Sequence, residues 1–249
     1  MESRAARLTL AYDGSRFAGW QLQPGQRTVQ GVLEVALEAL AGEPLRAQAA
    51  GRTDAGVHAE GQVVGVRLPE GRRLPLKALV QGLNGLLPED VAVREAAFVP
   101  DGFDARRSAR GKRYRYRIWN RATRCPLRRG THWQIFPPLD CEPMRRAATA
   151  LEGEHDFQAF RSADCPAKTT VRRLDRVAVA PGEPGEIVVE VRGTAFLKHM
   201  VRNVVGTLVE IGRGKRPEGD VPRLLASRDR RLAGPTAPAH GLCLMEVYY

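Results

Sequence analysis

Two successive segments of this chain carry the same order of hydrophobic periodicities, and this doubling restricts the fold more than any other feature. In the first, Leu8 to Gly14 alternates like a strand. Thr28 is placed to cap a helix whose stripe is Val29, Val32, Leu33, Val35, Ala36, Leu37 and Leu40, with Gly42 as its stop. Leu45 to Ala50 leads into a loop, Gln62 to Leu68 is a strand, Leu76 to Leu86 a short helix, and Val91 to Val99 a strand. In the second, Arg113 to Trp119 sets Tyr114, Tyr116 and Ile118 on one face and Arg113, Arg115 and Arg117 on the other. Pro143 to Leu151 follows as a helix. Leu174 to Ala180 and Glu186 to Val191 are strands around a Pro-Gly turn, Phe196 to Ile211 is a long helix, and Gly241 to Tyr249 a closing strand. Each order is a split βαβ unit. The expected fold class is α+β: two ferredoxin- or RRM-like halves, residues 1–105 and 106–249, joined into one extended mixed, mainly antiparallel sheet with helices on one face and a cleft where the halves meet. Pro100 to Arg113 is the hinge. Arg121 to Asp140, Ser162 to Arg172 and Arg213 to Ala239 are loop-rich insertions whose arginines suit a surface that grips phosphates.

The first half carries its chemistry in Gly51-Arg52-Thr53-Asp54-Ala55-Gly56-Val57-His58-Ala59. Thr53 to Gly56 reads as a tight turn that lifts one carboxylate out of the sheet, and the glycines permit close approaches or backbone angles that a side chain would block. An arginine two residues before an aspartate favours the charged carboxylate. By itself the motif also fits a turn in which Asp54 bonds its own backbone. His58 reads as a hydrogen-bonding loop residue.

Charge points to a polyanionic partner. Among 249 residues, Lys and Arg total 39 against 28 Asp and Glu, a net charge of +11, and 34 of the 39 are arginine. From Arg106 to Arg129 there are eleven basic and no acidic residues. Arginine offers a planar fork to phosphates and stacks on bases. Cys125, Cys141, Cys165 and Cys243 lack metal-knuckle spacing, and the five histidines lack a ligand pattern, so neither a metal nor a disulfide framework is expected. No run reaches the ~18 apolar residues of a membrane helix. Met1-Glu2-Ser3-Arg4 opens no signal-peptide core. A soluble cytoplasmic protein is expected.

Tyr12-Asp13-Gly14 with Phe17 and Gly19-Trp20-Gln21, Gly51 to His58, Ala105-Arg106 with Ser108, Lys112 to Tyr116, His155-Asp156-Phe157, and Ala195-Phe196 through Met200-Val201-Arg202-Asn203 fall in a fixed order. Together they resemble the TruA-type tRNA pseudouridine synthases over nearly the whole chain, from about Leu8 to Tyr249. One departure is Arg107, where the family carries an aromatic residue. The resemblance implies the pseudouridine synthase fold and conversion of uridine to pseudouridine in the anticodon arm of tRNA, at tRNA positions 38, 39 and 40. It also implies no metal or organic cofactor, and a homodimer with one tRNA touching both subunits.

The same resemblance assigns roles. Asp54 matches the essential carboxylate, which attacks the sugar C1′ or takes a proton from the neighbouring carbon. Arg202, among apolar neighbours on the late helix, matches the guanidinium that pairs with that carboxylate and keeps it ionised. Tyr114 matches the tyrosine that stacks on the target base, with Tyr116 as packing. Arg52 is expected to touch the RNA backbone or help push the target nucleotide from its stack. A non-catalytic RNA-binding protein or chaperone on paired split-βαβ modules is the alternative. It accounts for the charge but not for Asp54 in a glycine-flanked loop. A metal-dependent phosphodiesterase would need several convergent carboxylates or histidines, and near Asp54 there are only Glu60 and His58.

Overall fold

A computed structural model of the chain describes residues 5–69 and 74–249. Met1 to Arg4, where a leader would begin, lie outside the described residues. Two compact units emerge, Met1–Arg110 with Leu244–Tyr249, and Gly111–Cys243. A single cut after residue 105 therefore misses the return of the chain end to the first unit. Backbone and side-chain bonds hold it there: Arg110 N donates to the Tyr248 carbonyl at 2.8 Å, and Tyr249 Oη to the Ala105 carbonyl at 2.7 Å.

The first unit contains β1 (Ala5–Tyr12), α1 (Val29–Ala41), β2 (Ala47–Ala49), β3 (His58–Arg67), α2 (Leu83–Leu86) and β4 (Val91–Val99). Its strands run antiparallel in the order β4-β1-β3, and β2 pairs with the far end of β3. Leu8 faces Val64 on one side and Ala96 on the other. The register of β1 slips between Leu10 and Tyr12, a bulge of the kind that re-aims a side chain.

Helix α1 begins where the sequence places it. Thr28 Oγ1 accepts from Gly31 N at 3.2 Å, and Gly42, at φ 81°, closes the other end by donating to the Glu38 carbonyl. Val29, Leu33, Ala36 and Leu37 are buried. Val35, read as part of the stripe, is 68% exposed because it lies off the 29/33/36/37 face. The stretch before α2 winds as a π-helical turn over Ala78–Gly82, and Leu79 and Leu83 are both fully buried. Asn84 fixes this turn to β4 through two bonds with the Val93 backbone, each 2.8 Å.

The second unit contains β5 (Gly111–Asn120), β6 (Trp133–Ile135), α3 (Cys141–Thr149), β7 (Gly153–Asp156), β8 (Val171–Pro181), β9 (Glu186–Gly193), α4 (Met200–Gly212) and α5 (Asp220–Ser227). Strand β10 (Leu242–Tyr248) starts here and continues into the first unit. The order β5-β9-β8-β7 is antiparallel, while β6 runs parallel to β5 with Ile118 opposite Trp133. The alternation of β5 holds: Tyr114, Tyr116 and Ile118 are buried and the three arginines are not. Helix α4 is buried along its length except at Arg202 and Glu210, with the polar Asn203 and Thr207 buried among its apolar residues. It begins at Met200 rather than Phe196, because His199 adopts a left-handed φ of 62° that no α-helix can contain. The segments read as loop-rich insertions hold β6 and α5. No helix of the described residues is long and apolar enough to cross a membrane.

An ion pair anchors the loop after β1. Arg27 forks onto Asp90 at 2.7 and 2.8 Å and stacks on Phe17 with 4.1 Å to the ring centre. The Arg27 hydrogen bonds hold the Asp90 carboxyl below its usual value. A carboxyl with a depressed folded-state pKa stabilises above its unfolded value of ~3.9, and that contribution is lost as pH falls through the lower folded value. With Arg27 partly in water, the pair is worth about 1 kcal/mol. Asp90→Asn should therefore lower the urea midpoint at pH 6, and the gap from the native protein should narrow progressively as pH falls below ~3.9.

Candidate active site

Two loops of the first unit meet backbone to backbone and present Asp54. Trp20 N donates to the Thr53 carbonyl at 3.0 Å, and Gly56 N to the Phe17 carbonyl at 3.3 Å. Asp54 to Val57 is a turn closed by Val57 N on the Asp54 carbonyl at 3.1 Å, with Gly56 at φ 78° in the third position, where a type II turn requires it. Two further glycines let the loops touch. A Cβ on Gly14 would sit 2.1 Å from the Val57 carbonyl oxygen, and one on Gly19 2.7 Å from that of Thr53.

Side chains complete the cradle. Tyr12, just past the β1 bulge, puts its hydroxyl 2.8 Å from Thr53 Oγ1. Gln62, wholly buried on β3, donates to the Gly51 carbonyl at 2.7 Å. His58, also buried, accepts from Gly14 N at 3.1 Å through Nδ1, which lies 3.1 Å from Asp13 Oδ1. Burial raises the Asp13 carboxyl, but the Ser15 hydrogen bonds and His58 outweigh it and leave it below its usual value. His58 is thus a loop brace, as its sequence context suggests. Asp54 is half-buried and Arg52 exposed on the same loop. A half-buried carboxylate on a rigid turn is suited to meet a substrate that enters from solvent.

The second unit carries Tyr114 and Arg202. Tyr114 is 8% exposed and meets the Phe196 ring edge-on, 5.0 Å between centres. Tyr116 is fully buried and spends its hydroxyl on the Pro238 carbonyl at 2.8 Å, which makes it a packing residue. Arg202 is half-buried in the first turn of α4, and its Nε donates to the Ala237 carbonyl at 2.7 Å.

The basic run from Arg106 to Arg129 is not one uniform surface. Arg113 and Arg115 both bond Glu190, at 3.1 and 2.8 Å, Arg117 lies 3.7 Å from Glu186, and Arg128 pairs with Glu183 while covering Trp119. Arg121, Arg124 and Arg129 are exposed and stand in no ion pair among the described residues. In the later insertion, Arg216 and Arg223 close on the buried Asp220, and Arg231 on Asp229, so these arginines are committed within the protein. Arg107, the departure from the family pattern, is exposed beside Asp104, whose carboxylate accepts its backbone N–H at 2.8 Å.

A family model described as tRNA pseudouridine synthase matches residues 8–106 and 147–249. The chain belongs to this family. The tRNA pseudouridine synthase A of Myxococcus xanthus is 57% identical over 243 residues, covering 98% of this chain and 91% of that one. That of Geotalea uraniireducens is 48% identical over 247 residues, 99% of this chain and all of the other. Among solved structures, a Cbf5-Nop10-Gar1 complex aligns at 12% identity with a TM-score of 0.36, covering 96% of this chain and 57% of that chain. Members of the tRNA pseudouridine synthase family are isomerases acting on tRNA uridine, and the chain has their mixed α+β fold.

Sequence reasoning did not single out Tyr12, Thr53 and Gln62 as supports of the Asp54 loop. Tyr12 and Gln62 stood in recognisable strands, but a hydroxyl bond spanning 41 residues leaves no local signal. If the close glycine approaches set the loop, Gly14→Ala should cost about 3 kcal/mol in urea unfolding, as a backbone oxygen cannot rotate away. Gly85→Ala, where a Cβ meets nothing within 4 Å, should leave stability at or above native.

Proposed function

We propose that this tRNA pseudouridine synthase acts on the anticodon arm of tRNA, at tRNA positions 38, 39 and 40, with Asp54 as its catalytic carboxylate. The observation that carries the reading is the Asp54 turn: a half-buried carboxylate held by Trp20 N, Gly56 N and Tyr12 Oη through its neighbours, inside a chain matched to the family over both halves. The reaction breaks the bond from uracil N1 to C1′, turns the base, joins C5 to C1′, and releases the C5 proton. Nothing is oxidised or added, and the product has the mass of the substrate. Asp54 assists cleavage at the sugar, Arg202 supplies the guanidinium that keeps the carboxylate ionised, and Tyr114 bears the base. Arg52, exposed on the Asp54 loop, contacts the RNA backbone as the target nucleotide leaves its stack. In this reading the enzyme is a cytoplasmic homodimer. Arg121, Arg124 and Arg129 are, with Arg106 and Arg110, exposed members of the basic run that can reach phosphates, whereas the strand arginines are already engaged with glutamates.

Asp54→Ala should abolish tritium release from C5-labelled uridine in tRNA while tRNA binding stays near native; retained turnover would remove Asp54 from the chemistry. Tyr114→Phe should keep binding, since stacking of roughly 1–3 kcal/mol needs the ring and not the hydroxyl. Replacing Arg121, Arg124 and Arg129 together by Ala should flatten the dependence of log K on log salt by about 0.7 to 0.9 for each phosphate no longer neutralised. The pair Arg113 and Arg115 should leave that slope close to native, and the opposite ranking would place the RNA on the strand face.

A further inference from the structure

A strap of five residues, Ala233 to Ala237, lies directly on helix α4 in the second unit. The approach is at backbone distance: a Cβ on Gly206 would fall 1.7 Å from the Pro235 carbonyl oxygen, and one on Gly234 2.6 Å from Thr207 Cα. Thr207 Oγ1 accepts from Gly234 N at 2.9 Å. At its far end the strap exchanges two bonds with a single residue of the helix. Ala237 N donates to the Arg202 carbonyl at 3.1 Å, and the Arg202 Nε–H donates to the Ala237 carbonyl at 2.7 Å.

One cation pins this strap. Arg230 sends Nη1 to the carbonyls of Ala233 and Gly234, at 3.3 and 2.9 Å, and Nη2 to Asn203 Oδ1 and Thr236 Oγ1, at 3.1 and 3.2 Å. Asn203 is fully buried, takes a second bond from Thr236 at 2.7 Å, and donates to the Phe160 carbonyl at 2.7 Å. Among the described residues Arg230 pairs with no carboxylate; its neighbour Asp229 is committed to Arg231. A half-buried guanidinium bonded only to neutral oxygens is an expensive way to hold a loop. Simple packing would be served by an apolar residue. Its geometry suits a different task, because every group it holds lies within the strap or next to Arg202.

We propose that Arg230 is a positioning residue for Arg202. A guanidinium is planar with its donors in a fixed fork, so fixing the Nε–H on one acceptor fixes the directions of both terminal amino groups. The Ala237 carbonyl is that acceptor, and Arg230 with Asn203 and Thr236 determines where it stands. The inference rests on the reading of Arg202 given above and adds the residue that aims it.

The test is single-turnover pseudouridine formation on tRNA by Arg202→Lys, Arg230→Met and the double variant, with tRNA affinity and thermal unfolding measured in parallel. Arg230→Met should lower the rate of the chemical step by about tenfold to a hundredfold, the scale of a misplacement near 1 Å, with tRNA affinity within about twofold of native. In the Arg202→Lys background the same change should slow the reaction no further, because the group it aims has been replaced. A rate for Arg230→Met within twofold of native, or a full multiplicative loss in the double variant, would overturn the positioning role. If Arg230→Met does not fold, Thr236→Val removes two bonds of the same network and carries the same comparison, with a smaller loss of about threefold to tenfold. Native turnover by Arg202→Lys would instead overturn the role of Arg202 itself, whatever Arg230 does.

Discussion

The first unit depends on the docking of the loop after β1 against the loop before β3, peptide group against peptide group. Gly14, Gly19 and Gly56 make it feasible, because none of the three positions has room or backbone geometry for a side chain. Hydrogen bonds between main-chain groups have a narrow range of length and angle, so they fix a turn more tightly than apolar packing does. Around this junction the protein gathers polar side chains with long sequence separations: Tyr12 to Thr53, Gln62 to Gly51, His58 to Gly14. Two of these bonds partner polar groups that are buried, the Thr53 hydroxyl and the His58 ring nitrogen. The outcome is a carboxylate, Asp54, at the tip of a turn whose two sides cannot move independently.

The net charge of +11 gives an incomplete picture of how this protein meets RNA. Much of the arginine is consumed internally. Arg113 and Arg115 share Glu190, Arg27 forks onto Asp90, and Arg216 and Arg223 neutralise the buried Asp220. Such pairs organise strands and helix ends but offer little field to a distant phosphate. Arg121, Arg124 and Arg129, in the loop after β5, stand exposed and in no ion pair among the described residues. A surface built this way sets a few outward cations on a scaffold of inward ones.

Much of this architecture was legible in the sequence, and the parts that were not share a physical reason. Thr28 and Gly42 bracket α1 because capping is local chemistry, readable within four residues. The alternation of Tyr114, Tyr116 and Ile118 against three arginines marks β5 unmistakably. The start of α4 was misread because nothing in Phe196 to His199 forbids helix; the left-handed turn at His199 is imposed by tertiary bonds, among them Ser162 N on the Lys198 carbonyl. Strand β6 spans three residues and α5 eight, too short for their patterns to stand out from the arginine-rich loops around them, although Val221, Leu224 and Leu225 share one buried face. Val35 shows the opposite error, an apolar residue counted into a face it does not share. Of the residues proposed for the site, Asp54, Tyr114 and Arg202 came from an ordered set of motifs, and Arg52 from its place in the Asp54 loop. Arg230 could not, since four of its partners are neutral oxygens that no pattern of charges announces.

The return of the chain end to the first unit has a consequence for synthesis. Leu244 to Tyr249 reach the ribosome exit only after the whole second unit has been made. Until then Gly61 lacks its neighbour Met245, and Ala105 and Arg110 lack Tyr249 and Tyr248. The nascent first unit therefore waits with an open strand border, the type of edge that invites pairing with other chains. The first unit thus cannot gather all of its residues until the second has been translated.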